Sequence, residues 1–226
     1  MRAHGERVVS AGDRLVAGHG VLSHSLHGNI SIRLPRGDQF LLTGVGALDA
    51  LTLESLALLS LDGAILGGNI GPASHEIIQM HAAVYRRRPD VNAVIHTHSP
   101  YVTAYAIANV PIAPTYEAMV RFDITETVPV AEYGPRGSER SVTNIVNVVN
   151  DSNKACLLAN HGLLVWDASI EMAAHLVVVL EEAAQFSLMA RILGGAKEIP
   201  ASAIQETIAR RDQFAGMAAP VASDDD

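Results

Sequence analysis

Three histidines combine the side-chain chemistry and the spacing of a catalytic metal site. His96 and His98 stand two positions apart at the end of the apolar run 91–95, and His161 follows a second apolar run far downstream. Side chains two positions apart in a strand leave the same face, so the first two imidazoles can meet at one point. Three neutral nitrogens leave a divalent ion its full charge and an open position for water or substrate. The pattern predicts a metal-dependent enzyme.

Zn²⁺ is the simplest ion for such a site, and Mn²⁺, Co²⁺ or Fe²⁺ also accept imidazole ligands. The alternative is that the strand histidines are partly exposed and bind nothing. Both histidine sites lie where a buried strand ends, which is where ligands bind in sheets flanked by helices, and this position favours the metal. A cupin uses a similar HxH pair, but its all-β barrel has no place for the long helices predicted at 74–88 and 169–193.

Length, composition and charge limit the class of protein. The 226 residues suffice for one well-filled domain. A hydrophobic content of 49% and a mean hydropathy of +0.21 suggest that other subunits cover part of the surface. No apolar run approaches the ~20 residues of a membrane span, and the N-terminus lacks the apolar core of a signal peptide, which predicts a cytoplasmic protein without a membrane partner. A net charge of −8 argues against nucleic acid as a partner.

Helices and strands alternate along the chain and must position these histidines. A helix is predicted at 6–17, strands at 29–34, 39–43, 56–61 and 64–66, and a helix capped by Ser74 over 74–88. After the strand with the two histidines, Ser99-Pro100 begins a helix that runs to 109. Strands at 154–159 and 163–166 and helices at 138–149, 169–193 and 201–214 complete the pattern. One domain is expected over 1–220, followed by a flexible acidic tail at 221–226.

Several short motifs occur in a recognisable order over most of the chain. They are Gly28-Asn29-Ile30-Ser31, Thr43-Gly44, Ser74-His75-Glu76 with Met80-His81 and Tyr85, Arg88-Pro89-Asp90, His96-Thr97-His98-Ser99, and Asn160-His161-Gly162. In this order they resemble the class II aldolase/adducin family. The resemblance implies a single α/β domain whose central, mainly antiparallel sheet is flanked by helices on both faces. It also implies a homotetramer with active sites between neighbouring subunits.

The resemblance assigns roles to individual residues. The three metal ligands fall on His96, His98 and His161, and the acid that moves protons falls on Glu76. In the familiar aldolases that acid lies one residue closer to the following helix, so the helix start here must absorb an extra residue. A carboxylate near a helix N-terminus can also be an ordinary capping or dipole-favoured group. Tyr116 matches approximately a tyrosine that acts as an acid from the neighbouring subunit, and a packing tyrosine is the alternative.

The substrate is expected to be an anion. In the sugar-phosphate enzymes of the family, small polar residues hold the phosphate, and here they match Asn29, Ser31, Thr43, Gly44 and Ser74, followed by His75 in place of a second serine. An imidazole takes room from a phosphate but can hold a planar carboxylate. Arginines at positions 121, 136 and 140 are further candidate carboxylate binders, with a surface position as the alternative for each.

These observations together predict a metal-dependent carbon–carbon lyase. The favoured reaction is decarboxylation of a non-phosphorylated hydroxy- or oxo-carboxylate, such as an intermediate of aromatic degradation. An aldolase that cleaves a hydroxy-carbonyl compound or a sugar phosphate is second, and a sugar-phosphate 4-epimerase is third. Adducin-like relatives serve as interaction modules and would be expected to lose metal ligands, whereas this chain keeps all three.

Overall fold

One eight-stranded sheet forms the centre of the molecule, which a computed structural model describes over residues 1–18 and 20–217. The strands are β1 Gly28–Arg33, β2 Gln39–Thr43, β3 Leu56–Ser60, β4 Ile65–Gly67, β5 Ala93–Thr97, β6 Val130–Ala131, β7 Ala155–Leu158 and β8 Gly162–Asp167. Their spatial order is β4-β3-β2-β1-β5-β8-β7-β6, and every neighbouring pair is antiparallel except β6 with β7. The mainly antiparallel sheet is therefore confirmed. The expected tail at 221–226 lies outside the described residues.

Helices cover both faces of this sheet, as expected. They are α1 Arg2–Ala17, α2 Pro72–His75, α3 Ile78–Arg87, α4 Pro100–Ala108, α5 Glu117–Arg121, α6 Glu139–Val148, α7 Ile170–Ile192 and α8 Ala201–Met217. The core on one face joins α1, α4, α5 and α7, and the core on the other face joins α3 and α6. Alternation along β5 sends Ala93 and Ile95 into the first core and Val94 into the second. The side chain of His96 therefore leaves the sheet on the side of α3 and α6.

Helix α7 packs along the sheet against β5 and β8. Within the described part of the chain it alone has the length and apolar composition of a membrane span, and 56% of its most apolar window is buried. The sequence predicts no membrane span. Burial against the sheet accounts for the apolar side chains on the inner face of α7.

The predicted helix over 74–88 is two helices in the structure. Gly71 precedes the first turn and Pro72 occupies its first position, where a proline loses no hydrogen bond, so α2 begins before Ser74. The chain leaves the helix at Glu76 and Ile77 and resumes in α3. Ser74 is therefore not the helix cap that the sequence suggested, and Glu76 lies in the joint between the two helices.

Two further differences concern elements with weak sequence signals. Helix α1 begins at Arg2 rather than near residue 6. The stretch between α4 and α6 contains α5, of five residues, and β6, of two. Neither is long enough to show a helical or a strand period, and β6 exists through its parallel pairing with β7.

Helix α4 is capped from a distance rather than by Ser99. It begins at Pro100 as predicted, but the Ser99 hydroxyl lies 2.8 Å from the Thr97 hydroxyl instead of accepting from the free amides. The carboxylate of Glu181 on α7 accepts from Tyr101 N at 2.8 Å and Val102 N at 2.9 Å. Burial raises the pKa of Glu181 to about 7, and these two hydrogen bonds limit the rise. Glu181 therefore fixes the start of α4, directly after the strand with the two histidines.

At about pH 4.5, replacing Glu181→Gln is expected to destabilise the fold by about 1–3 kcal/mol, because the amide nitrogen of glutamine cannot accept from the second backbone amide. This difference should shrink or reverse towards pH 7. The folded pKa lies above the ordinary value of 4.5, so the stability of the native protein should fall relative to the variant as pH rises from 4.5 towards 7, by about 1.4 kcal/mol per pH unit. Urea unfolding at several pH values measures both effects. Glu206→Gln, at an exposed position of α8, is the control. A pH-independent difference between Glu181→Gln and the native protein would contradict the assignment.

Candidate metal centre and adjoining cavity

The imidazoles of His96, His98 and His161 converge at one point beside the sheet. The ring centroids are 4.7–4.9 Å apart, and one nitrogen from each ring lies within 4.8 Å of the other two. The two Nε2 atoms of His96 and His98 are 3.1 Å apart. Three imidazole nitrogens at this spacing form a donor set suited to a divalent ion such as Zn²⁺. The structure thus brings together the three residues that the sequence singled out.

A tight turn between β7 and β8 brings His161 to the other two rings. Asn160 adopts a left-handed conformation with φ 58°, which asparagine tolerates better than most residues, and His161 N donates to Leu158 O at 2.9 Å. Gly162 follows, and a Cβ there would lie 2.5 Å from Thr97 O and 3.0 Å from His98 Cδ2. Glycine is therefore required for the turn to approach the end of β5.

Burial keeps the three imidazoles neutral. His96 is 2% exposed, and desolvation lowers its pKa far below 6.5, assisted by the neighbouring histidines. Desolvation also lowers the pKa of His98 to about 4 and lowers that of His161. Nδ1 of His96 donates to the Leu163 carbonyl at 2.7 Å, which leaves Nε2 as the free lone pair. At neutral pH the site presents ligands without competition from protons.

A buried chain of hydrogen bonds orients Asn29 beside this centre. His81 is fully buried, and burial lowers its pKa to about 3, so the ring is neutral. Its Nε2–H donates to Asn29 Oδ1 at 2.6 Å, and its Nδ1 accepts from the Ser31 hydroxyl at 2.7 Å. The Tyr85 hydroxyl lies 2.7 Å from the same Ser31 oxygen. The amide nitrogen of Asn29 remains as a donor at the cavity wall.

A cavity of about 300 Å³ adjoins the three histidines. Its wall contains four of the six residues proposed to bind substrate: Asn29, Thr43, Gly44 and Ser74. The other two do not line it. Ser31 is fully buried, with its hydroxyl engaged by His81 and Tyr85, and His75 is exposed outside the wall. In this structure the imidazole at position 75 therefore takes no room from this cavity.

Glu76 is paired with an arginine of the cavity wall and does not itself line the cavity. Its carboxylate is 51% exposed and lies 3.0 Å from Nε of Arg136, whose side chain lines the cavity. The capping role considered for Glu76 is not found, since α3 begins without a side-chain cap. The other two candidate arginines, at positions 121 and 140, are exposed outside the cavity wall.

Tyr116 lies away from the cavity of its own chain. Its hydroxyl is 3.4 Å from Glu182 Oε2, and its ring packs edge-on against Phe186 at a centroid distance of 5.3 Å. Both partners belong to α7. These contacts fit the packing alternative within one chain.

Sequence reasoning assigned no role to two residues that the structure places at the site. His81 supports Asn29, and its position within the Met80-His81 motif was the available signal. His27 lines the cavity and contacts His98 edge-on at 6.2 Å between ring centroids. His27 lies in a loop with no strand or helix period, so no sequence pattern connected it with His98.

Comparisons with known proteins agree with this geometry. The family described as class II aldolase and adducin N-terminal domain matches residues 6–188. An L-fuculose phosphate aldolase of Escherichia coli O6:H1 is 32% identical over 167 residues, covering 74% of this chain and 75% of the relative. A 3-oxo-tetronate 4-phosphate decarboxylase of Haemophilus influenzae is 33% identical over 167 residues, covering 70% and 75%. The solved structure of an L-fuculose 1-phosphate aldolase shares the fold, with a TM-score of 0.82 at 22% identity over 94% of this chain and 97% of that one.

Substitution His96→Ala or His161→Ala is expected to abolish metal binding, because two imidazoles cannot hold the ion as three do. Elemental analysis of dialysed protein should find about one ion per native chain and none in either variant. His175→Ala, which alters a half-buried ring packed on Phe122, should retain the ion. Full occupancy in His96→Ala would remove this residue from the metal centre.

Gly162→Ala is expected to weaken metal binding by about 10- to 100-fold, since the added methyl group displaces the end of β5 or the turn that carries His161. Competition with a chelator measures the affinity. The control is Gly67→Ala, at a strand position where a Cβ meets no atom within 4 Å. Equal affinities in the two variants would show that the approach of Gly162 to Thr97 does not set the histidine geometry.

Proposed function

This chain belongs to the class II aldolase and adducin family, and from that membership we propose that it is a divalent-metal-dependent carbon–carbon lyase acting on a small anionic substrate. The observation that carries the proposal is the convergence of His96, His98 and His161 at the wall of one cavity. Zn²⁺ is the proposed ion. Adducin-like interaction modules would not need this ligand set, so the intact set favours an enzyme.

The proposed roles follow from the position of each group. A divalent ion held by the imidazoles supplies positive charge beside the breaking bond, where negative charge develops. Asn29 donates its amide hydrogens to an oxygen of the substrate, in an orientation fixed by His81. Glu76 delivers or removes the proton at carbon, for which its carboxylate must exchange its present partner Arg136 for the substrate.

Two reactions fit this site, and a separate observation supports each. Aldol cleavage has the support of the L-fuculose phosphate aldolases among the relatives, and the cluster of Asn29, Thr43, Gly44 and Ser74 suits a phosphate. Decarboxylation, which the sequence favours for a non-phosphorylated hydroxy- or oxo-carboxylate, has the support of Arg136 in the cavity wall and of the related decarboxylase, whose named substrate carries a phosphate. Because His75 lies outside the cavity wall, its imidazole is not an argument against a phosphate substrate.

The proposal also covers the oligomeric state and the cellular location of the enzyme. We propose a homotetramer in which each chain forms one domain over 1–220 and the active sites lie between subunits. This assembly would bury apolar side chains at the end of α7. The side chains that are exposed in the single chain are Phe186, Leu188, Met189, Ile192 and Leu193. Tyr116 packs beside them and would then lie near a neighbouring subunit. We further propose that the protein is cytoplasmic, with neither nucleic acid nor a membrane as partner.

The test is a turnover assay of zinc-loaded protein against hydroxy-carboxylates, oxo-carboxylates and sugar phosphates, with CO₂ and aldehyde followed together. At least one class should release CO₂ or an aldehyde. Glu76→Gln should keep the metal and lose about 10²- to 10⁴-fold in turnover, because the proton donor is gone. Glu139→Gln, at an exposed position of α6, is the control.

Two outcomes would contradict the proposal. Absence of carbon–carbon cleavage with every class would remove the lyase function. Full activity in Glu76→Gln would remove this residue from the mechanism. A third outcome, release of aldehyde without CO₂ and from sugar phosphates only, would overturn the favoured decarboxylation of a non-phosphorylated carboxylate and leave the aldolase.

A further inference from the structure

The Arg136 guanidinium is the cationic side chain at the wall of the cavity. Its Nε lies 3.0 Å from Glu76 Oε2, and its Nη2 donates to the Ala73 carbonyl at 2.5 Å. The same side chain lines the cavity together with Ser74, His98 and His161. Arg136 thus contacts both the proposed catalytic acid and the space where substrate would bind.

We propose that Arg136 is a specificity-determining residue that binds a carboxylate of the substrate, and that this carboxylate replaces Glu76 as the partner of the guanidinium and releases Glu76 for proton transfer. The inference rests on the proposed function for the role of Glu76. Recognition of the carboxylate by Arg136 does not depend on which bond is cleaved.

A rigid turn presents Arg136 to the cavity. The Ser138 hydroxyl donates to Pro135 O at 2.6 Å and accepts from Ser141 N at 3.1 Å, so the turn is joined to the first residues of α6. Gly137 has φ 77°, and a Cβ there would lie 3.1 Å from Glu76 Cβ. Glycine therefore allows the turn to approach the joint between α2 and α3, where Glu76 lies.

The geometry of Arg136 favours a carboxylate as its ligand. A guanidinium has five N–H donors in one plane, and its two recorded acceptors here are Glu76 and the Ala73 carbonyl. The first of these acceptors is itself a carboxylate, so the position already accommodates that group. A planar fork matches a carboxylate in two hydrogen bonds, which a lysine cannot provide.

The positive charge of Arg136 also affects the pKa values of two of the three histidines. After desolvation, its positive charge is among the causes that lower the pKa values of His98 and His161. Because Arg136, His98 and His161 line the same cavity, a ligand that contacts the guanidinium can reach the centre as well. A substrate of a few carbon atoms can bridge the two within a cavity of about 300 Å³.

The carboxylate held by Arg136 must be one that stays intact in the reaction. Loss of CO₂ removes the negative charge of the departing carboxylate, so a guanidinium on that group would stabilise the substrate more than the transition state. For a decarboxylase the substrate is thus a dicarboxylate. For an aldolase one spectator carboxylate is enough.

The test uses zinc-loaded protein titrated calorimetrically with malonate, a dicarboxylate, and with inorganic phosphate. Arg136→Met should weaken malonate binding at least about tenfold, and Arg136→Lys should weaken it less because the charge remains. Phosphate binding should change less than about threefold, because the other polar groups of the wall are intact. The matched control is Arg87→Met, since Arg87 is 41% exposed and pairs with Asp151 at 2.9 Å, whereas Arg136 is 44% exposed and pairs at 3.0 Å.

The exchange is tested by a double-mutant cycle. Glu76→Gln should tighten malonate binding in the native background, because malonate no longer competes with Glu76 for Arg136, and should have no effect in the Arg136→Met background. Equal effects of Glu76→Gln in both backgrounds would overturn the exchange. Malonate affinity within about twofold of native in Arg136→Met, or an equal loss of malonate and phosphate binding, would overturn carboxylate recognition.

Failure of the lyase proposal would give a different result. Malonate binding is measured without turnover, so an inactive protein whose malonate affinity depends on Arg136 would contradict the lyase function and support the carboxylate site. An active lyase whose malonate affinity does not depend on Arg136 would support the lyase function and contradict the carboxylate site.

Discussion

The register between β5 and β8 is the constraint on which the site depends. It places His96 opposite Leu164 and Thr97 opposite Leu163, so that the Leu163 carbonyl receives Nδ1 of His96. A slip of one residue would send His96 to the other face of the sheet, away from His161. Apolar side chains on both faces of β5 and β8 fix that register, because each face has its own core. The same packing that stabilises the fold thus sets the distance between the imidazoles.

Burial at the end of these strands has two consequences for the chemistry. It lowers the pKa values of His96 and His98, which keeps them neutral and ready to bind an ion. It also requires that every polar group nearby has a partner. The chain from Tyr85 through Ser31 and His81 to Asn29 meets this requirement and leaves one amide donor facing the cavity. Ser31 is therefore connected to Asn29 through His81 and does not itself line the cavity.

Sequence reasoning succeeded where a local pattern carries the information. The two-residue spacing of His96 and His98 at a strand end indicated both their common face and their place in the sheet. It failed where the outcome depends on contacts between distant elements. The cap of α4 comes from Glu181, about 80 positions downstream. The local sequence hint of this role is that an acidic residue stands among the apolar residues of α7. The orientation of His75 likewise depends on a break at Glu76 that helical spacing does not reveal.

Because the three histidines are neutral, the charge balance around the site depends on the charged side chains outside this set. A free carboxylate at Glu76 would be attracted to a divalent ion held nearby, and a carboxylate bound there could not serve as a mobile proton carrier. Pairing with Arg136 gives Glu76 another counter-ion at the cavity edge. Because both side chains are about half exposed, such a pair contributes only about 0–1 kcal/mol. A competing carboxylate can therefore replace Glu76 at little cost in free energy, as the proposed exchange requires.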